Sequence, residues 1–470
     1  MLLKRNTLTH LFFLTFLTII VSCNKDEGTP KTDDTVIVDD TTDDDPQGNT
    51  FTGELTWLKT YGGSDIDQAV GVVEANDGNY VVLGATFSTD GELSGIKTGG
   101  DSDYWVLKIS KTGNIIWSKV YGDTSDELAT NIHKTSDGGY VLSGYSQSNN
   151  CDLGSNGGFY DYWLLKIDEN GNEVWCQNYG YAGNDQAFDV FETHDGGYFA
   201  AGYFDVTASG GEGNNDRAPQ STLHGVGEYW GIKMDAQGDY FWTRYFGGVH
   251  FDKCYRAIET AEGDFLMVGT SESVPGENSD IENSHGTYDW WVVKVSSAGD
   301  KLWTKTFGGS EIDIAYDIQP TSDGNFFVVG DTRSNDQDVT QNKGNADVWL
   351  IKMSPTGNIL WQKTYGGDQF DSAKKILPIS DNNYLIIGSC RSANGDATAN
   401  KGQNDAWAIV VDDQGTLLFE KNIGGANLDF AESAIYTADG SIIVVGNSES
   451  NDGDITENKG SKDFLIFKIN

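Results

Sequence analysis

Proline, methionine, histidine and positive charge are all scarce in these 470 residues: 7 Pro, 4 Met and 6 His, with 31 Lys and Arg against 71 Asp and Glu. A formal charge of −40 lacks the basic surface that holds a phosphate backbone, so nucleic acid is excluded as a partner. Cys23, Cys151, Cys176, Cys254 and Cys390 form no CxxC pair and share no spacing. The last four therefore read as incidental, neither a disulfide framework nor a metal cluster. His10, His133, His194, His224, His250 and His285 are dispersed without metal-ligand spacing, and no nucleophile elbow accompanies them. No window carries long helical periodicity, and the apolar run from Leu11 to Val21 is too short to span a bilayer. What is abundant is glycine, 58 residues, and aromatics at 12%, the composition of a chain of turns and β-packing side chains.

The N-terminus has the layout of a signal peptide over residues 1–22: Lys4 and Arg5, the apolar run, then Ser22 and Cys23. Ile20-Val21-Ser22-Cys23 resembles a bacterial lipobox, which implies that Cys23 is lipidated and becomes the mature N-terminus. Anchoring then comes from acyl chains, at about 0.8 kcal/mol per buried methylene, with no transmembrane span in the mature chain. Lys25-Asp26-Glu27 is similar to the lysine-plus-acid signal that sends some Gram-negative lipoproteins to the cell surface. The resemblance implies a lipid-anchored location in the outer membrane, facing outside. Residues 24–52 hold nine Asp/Glu against two Lys, so 23–52 is expected to be an acidic, disordered tether. Loss of Lys4 and Arg5 with the signal takes the charge from −40 to −42.

The body, residues 53–470, is a repeat. A tryptophan followed by an aromatic-Gly step recurs at Trp57, Trp117, Trp175, Trp242, Trp303, Trp361 and, as phenylalanine, Phe419, with spacings of 60, 58, 67, 61, 58 and 58. Four strand-length runs per unit can be named A to D. In the first unit they are Val70–Glu74, Tyr80–Thr86, Tyr104–Ile109 and Ile115–Tyr121, with Asp-Gly and Gly-Asn pairs supplying the positive φ of tight hairpins. Glycine sits inside every B strand, at 84, 144, 202, 269, 330, 388 and 446, which predicts close backbone approach between neighbouring blades. All thirteen tryptophans fall on C and D strands, where they read as core between blades. The ordered chain starts with a lone D strand, Leu55–Tyr61, and ends with a lone C strand, Phe464–Ile469. The expectation is an all-β fold: a seven-bladed β-propeller of four-stranded antiparallel blades, the last closed by the N-terminal strand.

Three stretches carry a family likeness: Thr135-Ser136-Asp137-Gly138-Gly139-Tyr140, Asp161-Tyr162-Trp163-Leu164-Leu165-Lys166 and Trp361-Gln362-Lys363-Thr364-Tyr365-Gly366-Gly367. They resemble the β-propeller repeats of secreted Gram-negative lipoproteins, in the quinoprotein-like and bulb-lectin-like group, over about residues 53–470. The bulb-lectin mannose pattern is missing, and nothing marks a quinone pocket or any other cofactor site.

Because strands alternate in direction, the D-to-A and B-to-C connections emerge on one face, here the loop face, and the short hairpins on the other. The loop face carries two repeated sets of acids. One is Asp67, Glu127, Asp185, Asp252, Asp313, Asp371 and Asp429; the other is Asp103, Asp161, Glu228, Asp289, Asp347, Asp405 and Asp463. Acids recurring in every copy read first as turn-stabilising devices, with a cation-binding funnel as the other use. The longest B-to-C loop, Asp205 to Gly227 in the third blade, offers Asp216, Arg217 and His224 as a candidate ligand loop. Blades five to seven repeat an aspartate, Asp338, Asp396 or Asp454, followed by Asn-Lys-Gly, and these three are the candidates for Ca²⁺. With no catalytic constellation, the sequence favours a binding or scaffold module for a glycan or a protein. The alternative is a hydrolase or lyase that attacks polysaccharide through carboxylates on the loop face.

Overall fold

A computed structural model describes residues 51–149, 151, 156–215, 224, 225 and 227–470. The lipobox with Cys23, the Lys25-Asp26-Glu27 segment, the tether up to residue 50, and Asp216 and Arg217 lie outside the described residues.

Twenty-eight strands form seven four-stranded antiparallel sheets, a seven-bladed β-propeller. In blade 1 the strands are Asp67–Glu74, Tyr80–Thr86, Asp103–Ile109 and Ile115–Tyr121, in that order across the sheet. Three of these bounds differ little from the sequence pattern, but strand A starts at the acid, three residues before the β-branched run. The ring closes as expected. Leu55–Tyr61 is the D strand of blade 7 and pairs antiparallel with Asp463–Ile469, from Leu55 opposite Ile469 to Tyr61 opposite Phe464.

Among the described residues apolar side chains pack in seven wedges, each shared by neighbouring blades. Aromatic pairs on C strands link consecutive blades: Tyr104 with Trp163, Tyr162 with Trp230, Tyr229 with Trp291 and Trp290 with Trp349, at centroid separations of 4.2, 4.9, 4.5 and 4.4 Å. Trp105 against Phe464, 4.5 Å apart, carries this contact across the closure between blades 7 and 1. Each such pair adds about 0.5–1.5 kcal/mol beyond the apolar area it buries.

The repeat's polar signature is also structural. The lysine near the end of strand C reaches back to the aspartate of the A–B hairpin in its own blade, as Lys166 does to Asp137 at 2.9 Å, Lys233 to Asp195 at 3.0 Å and Lys352 to Asp323 at 2.8 Å. Two of the stretches that define the repeat are thus bonded to each other.

Every A strand carries a β-bulge after its third or second residue, for example between Ala69 and Gly71 and between Ala373 and Lys375. A bulge leaves one side chain unpaired and re-aims it. The B-strand glycine exists because of this bulge. A Cβ on Gly84 would meet the carbonyl oxygen of Gln68 in its own blade and the ring of Phe464 in the neighbouring one. The close approach predicted from sequence is real, and its first partner is the blade's own strand A.

One expectation is corrected. Cys151 and Cys176 form a disulfide that ties the B-to-C loop of blade 2 to its D strand. Trp163 Nε1 lies 3.2 and 3.1 Å from the two sulfurs. The bond occurs once in seven copies, so no repeated spacing announces it. Cys254 and Cys390 are free and buried.

Candidate functional site

The first acid set is wholly buried. In blade 5, Asp313 Oδ2 accepts from the Gly309 N–H at 2.8 Å and from Ser334 Oγ at 2.9 Å, while Thr332 donates to Oδ1. Asp371 and Asp429 repeat the pattern with Gly367 and Ser392, and with Gly425 and Ser450. These carboxylates bind the D-to-A turn to the end of strand B, the turn-stabilising role expected of them.

The second set opens the C strands and is also buried. One oxygen accepts a backbone N–H four residues back: Gly157 to Asp161 at 2.6 Å, Lys343 to Asp347 at 2.7 Å, Lys401 to Asp405 at 2.9 Å, Lys459 to Asp463 at 2.8 Å. The Oδ1 atoms of Asp161, Asp289, Asp347, Asp405 and Asp463 have no hydrogen-bond partner among the described residues. Those of Asp289, Asp347, Asp405 and Asp463 point toward an acid of the first set in the next blade, with one glycine between them. A Cβ on Gly308 would lie 2.7 Å from both Asp289 Oδ1 and Asp313 Oδ2. Burial pushes the carboxyls of Asp161, Asp289, Asp347, Asp405 and Asp463 up to about 6. Like-charged carboxylates that share a desolvated site do not both ionise readily, so these carboxyls keep their protons to higher pH than a free aspartate does.

The three Ca²⁺ candidates lie in three different blades and do not converge. Asp396 pairs with Lys343 of the preceding blade, Asp454 with Lys401 at 2.6 Å, and Asp338 faces His285 Nε2 at 3.6 Å. Gly366 and Gly424 also donate N–H bonds to Asp396 and Asp454, both at 3.1 Å. The Asn-Lys-Gly motif is therefore an interblade latch, and Lys459 to Glu92, 2.5 Å, extends it across the ring closure. Among the described residues no group of three or more His, Cys, Asp or Glu gathers as a metal would require. In the candidate ligand loop, His224 is buried beside Tyr245, with its Nδ1 3.4 Å from Glu228, and burial lowers its pKa. It is packed into the blade and does not face the solvent.

The bulges bring together what sequence reasoning missed. Their side chains, Val70, Thr130, Phe188, Tyr255, Tyr316, Lys374 and Glu432, one per blade, line a cavity of about 330 Å³ on the propeller axis. The next residue of each strand forms a second layer toward the hairpin face, and ion pairs and hydrogen bonds link several of its side chains. Arg256 Nη1 lies 3.0 Å from Asp189 Oδ1, and its Nε 3.1 Å from Asp317 Oδ1. Asn131 donates to Asp189 at 3.0 Å, and Lys375 to Ser433 Oγ at 3.0 Å. Burial would raise Asp189, but Arg256 and His133 outweigh it and hold the carboxyl below its usual range. Burial and Arg256 hold Lys375 down to about 8. The result is a funnel with a polar floor.

Above that floor the wall is aromatic. Ring centroids are 5.5 Å apart for Phe188 and Tyr255 and 5.1 Å for Tyr255 and Tyr316. Lys253 Nζ stands 4.2 Å from the Phe188 centroid, and Lys374 Nζ 3.8 Å from that of Tyr316. Burial, then Lys374, hold Lys253 down to about 8, while burial raises Glu432 above its ordinary range. Unlike the two acid rings, this set holds six residue types in seven blades, tyrosine alone occurring twice, and asymmetry is what recognition of a particular ligand needs. A column of one small residue, Ala69, Ala129, Ala187, Cys254, Ala315, Ala373 or Ala431, followed by a residue different in nearly every copy, is the signal that could have found it.

No family model matches the chain. It is 23% identical over 248 residues to the regulatory protein FlaEY of Caulobacter vibrioides; the match covers 47% of this chain and only 25% of that protein's length. Among solved structures it is similar to the WD40 β-propeller domain of Doa1, with a TM-score of 0.47, 13% identity, 89% of this chain and 97% of that one covered. It is also similar to a Bacteroides caccae protein of unknown function, with a TM-score of 0.40, 12% identity and 77% and 94% covered. The strand order, and not these likenesses, establishes that the chain is a seven-bladed propeller.

Proposed function

We propose that this chain is a lipid-anchored outer-membrane protein, facing outside, whose propeller is a binding module for a glycan or a protein engaged from the loop face. The observation that carries the binding reading is the axial funnel: a concave, aromatic-walled cavity with converging polar groups, varied from blade to blade, on a scaffold that is otherwise sevenfold alike. The lipobox supports the anchor and the Lys25-Asp26-Glu27 segment the outward orientation. The rival reading, a polysaccharide hydrolase or lyase, would draw on the loop-face acids, and those are engaged in holding turns and blade junctions.

The test uses the full chain carrying Cys23→Ala, screened on a glycan array and in pull-downs with defined envelope components. Binding without turnover is expected. Product release from a polysaccharide panel, abolished by one carboxylate substitution, overturns the reading. Cys23→Ala should also move the protein from the membrane to the soluble fraction, and protease treatment of intact cells should degrade the native chain from outside; failure of either overturns the location.

A further inference from the structure

Charge at the mouth of the funnel runs against that of the chain as a whole, which is −40. Among the described residues neither Lys253 nor Lys374 makes an ion pair. Their ammonium groups rest on aromatic faces, 4.2 Å from the Phe188 centroid and 5.1 Å from that of Tyr255 for Lys253, and 3.8 Å from Tyr316 for Lys374. A cation–π contact consumes none of an ammonium's three N–H donors, so both lysines keep their donors for another acceptor. The nearby acids do not supply it. Asp331 is held by Ser372 at 2.7 Å, and neither it nor Glu432, both of which burial raises and Lys374 opposes, forms an ion pair with either lysine.

We propose that the funnel binds the terminal hexuronate of an acidic oligosaccharide, its carboxylate between Lys253 and Lys374 and its ring against the Tyr255 and Tyr316 wall. This rests on the binding-module reading and names the ligand class of the same site. About 330 Å³ is at the small end of ligand cavities and suits one end residue of a chain, the rest extending out over the loop face. The floor, with Asn131, Asp317 and Ser433, offers the mixed donors and acceptors that ring hydroxyls require. A phosphate is a poorer fit, since the one guanidinium present, Arg256, is already engaged by Asp189 and Asp317. An amino acid is disfavoured as well, because its ammonium would enter beside two lysines.

Calorimetric titration of the full Cys23→Ala chain distinguishes these. The ligands are glucuronate, galacturonate and digalacturonate, set against glucose, galactose, a free amino acid and inorganic phosphate. Uronates should bind at least about tenfold more tightly than the neutral sugars. The Lys253→Gln/Lys374→Gln double variant should lose that preference while its melting temperature stays with the parent; Tyr316→Leu is a second variant in case the double one fails to fold. Equal binding of neutral sugars, undiminished uronate binding in the variants, or preference for phosphate or the amino acid overturns the assignment. If the variants still bind glycans or protein on the array, the funnel assignment falls and the binding module stands. A chain that binds nothing in either assay sinks both.

Discussion

Asp347→Asn should stabilise this protein at pH 8 and leave it nearly unchanged at pH 4. Asp347 is fully buried; one oxygen accepts from Lys343 N–H at 2.7 Å, and the other, without a hydrogen-bond partner among the described residues, looks across Gly366 toward Asp371. Burial pushes its carboxyl up to about 6, with Lys343 opposing and Asp371 adding. An unfolded aspartate titrates near 4, so the folded chain holds this proton more tightly than the unfolded one. The contribution therefore favours folding fully below about pH 4 and is lost as pH rises from about 4 through about 6, the reverse of the usual salt-bridged aspartate. Two pK units correspond to about 3 kcal/mol, a ceiling for one site. Asparagine keeps the acceptor for Lys343 and turns a donor toward Asp371, which the protonated acid also does at low pH. The expected gain is about 1–3 kcal/mol at pH 8 and below about 0.5 kcal/mol at pH 4, read from equilibrium guanidinium unfolding at both values. Equal destabilisation at both would refute the reasoning, because it would mean that the carboxylate is charged in the native state and holds a positive partner.

Other substitutions test the scaffold by the same measurement. Trp105→Ala, which empties a fully buried site against Phe464 at the ring closure, should cost about 3–5 kcal/mol. Gly308→Ala forces a Cβ to 2.7 Å from two carboxylates and should cost about 1–3 kcal/mol, whereas the same change in an open turn such as Gly276 should be mild. Removing the Cys151–Cys176 bond, by Cys151→Ser/Cys176→Ser, should cost about 3 kcal/mol, and reductant should lower the melting temperature of the parent but not of the variant. Lys459→Ala, at a half-exposed latch with Glu92, should change stability by less than about 1 kcal/mol; a larger loss would mean that ring closure depends on that ion pair.

The propeller was legible because its elements recur. Each blade repeats a Trp and its strand-B glycine, and five of the seven repeat the hairpin Asp-Gly, so seven noisy copies of one local pattern reinforce each other. The lone strands at the two ends then leave ring closure as the pairing that removes both edges. The same regularity hid the rest. Averaging over copies draws attention to Asp67, Asp103 and their equivalents, and those serve the turns and blade junctions. Cys151 and Cys176 belong to one blade, so their bond has no echo elsewhere. The funnel residues escaped for a sharper reason: Phe188, Tyr255 and Lys374 each follow a small residue at the start of an A strand, where two-residue alternation would turn them toward a neighbouring blade. The bulge shifts the register by one residue and sends them to the axis instead. A bulge depends on backbone pairing across two strands, and its trace in sequence is indirect, the strand-B glycine opposite it. In a repeat of this kind, the columns that hold constant describe how blades stand together, and the column that refuses to repeat marks where one molecule is told from another.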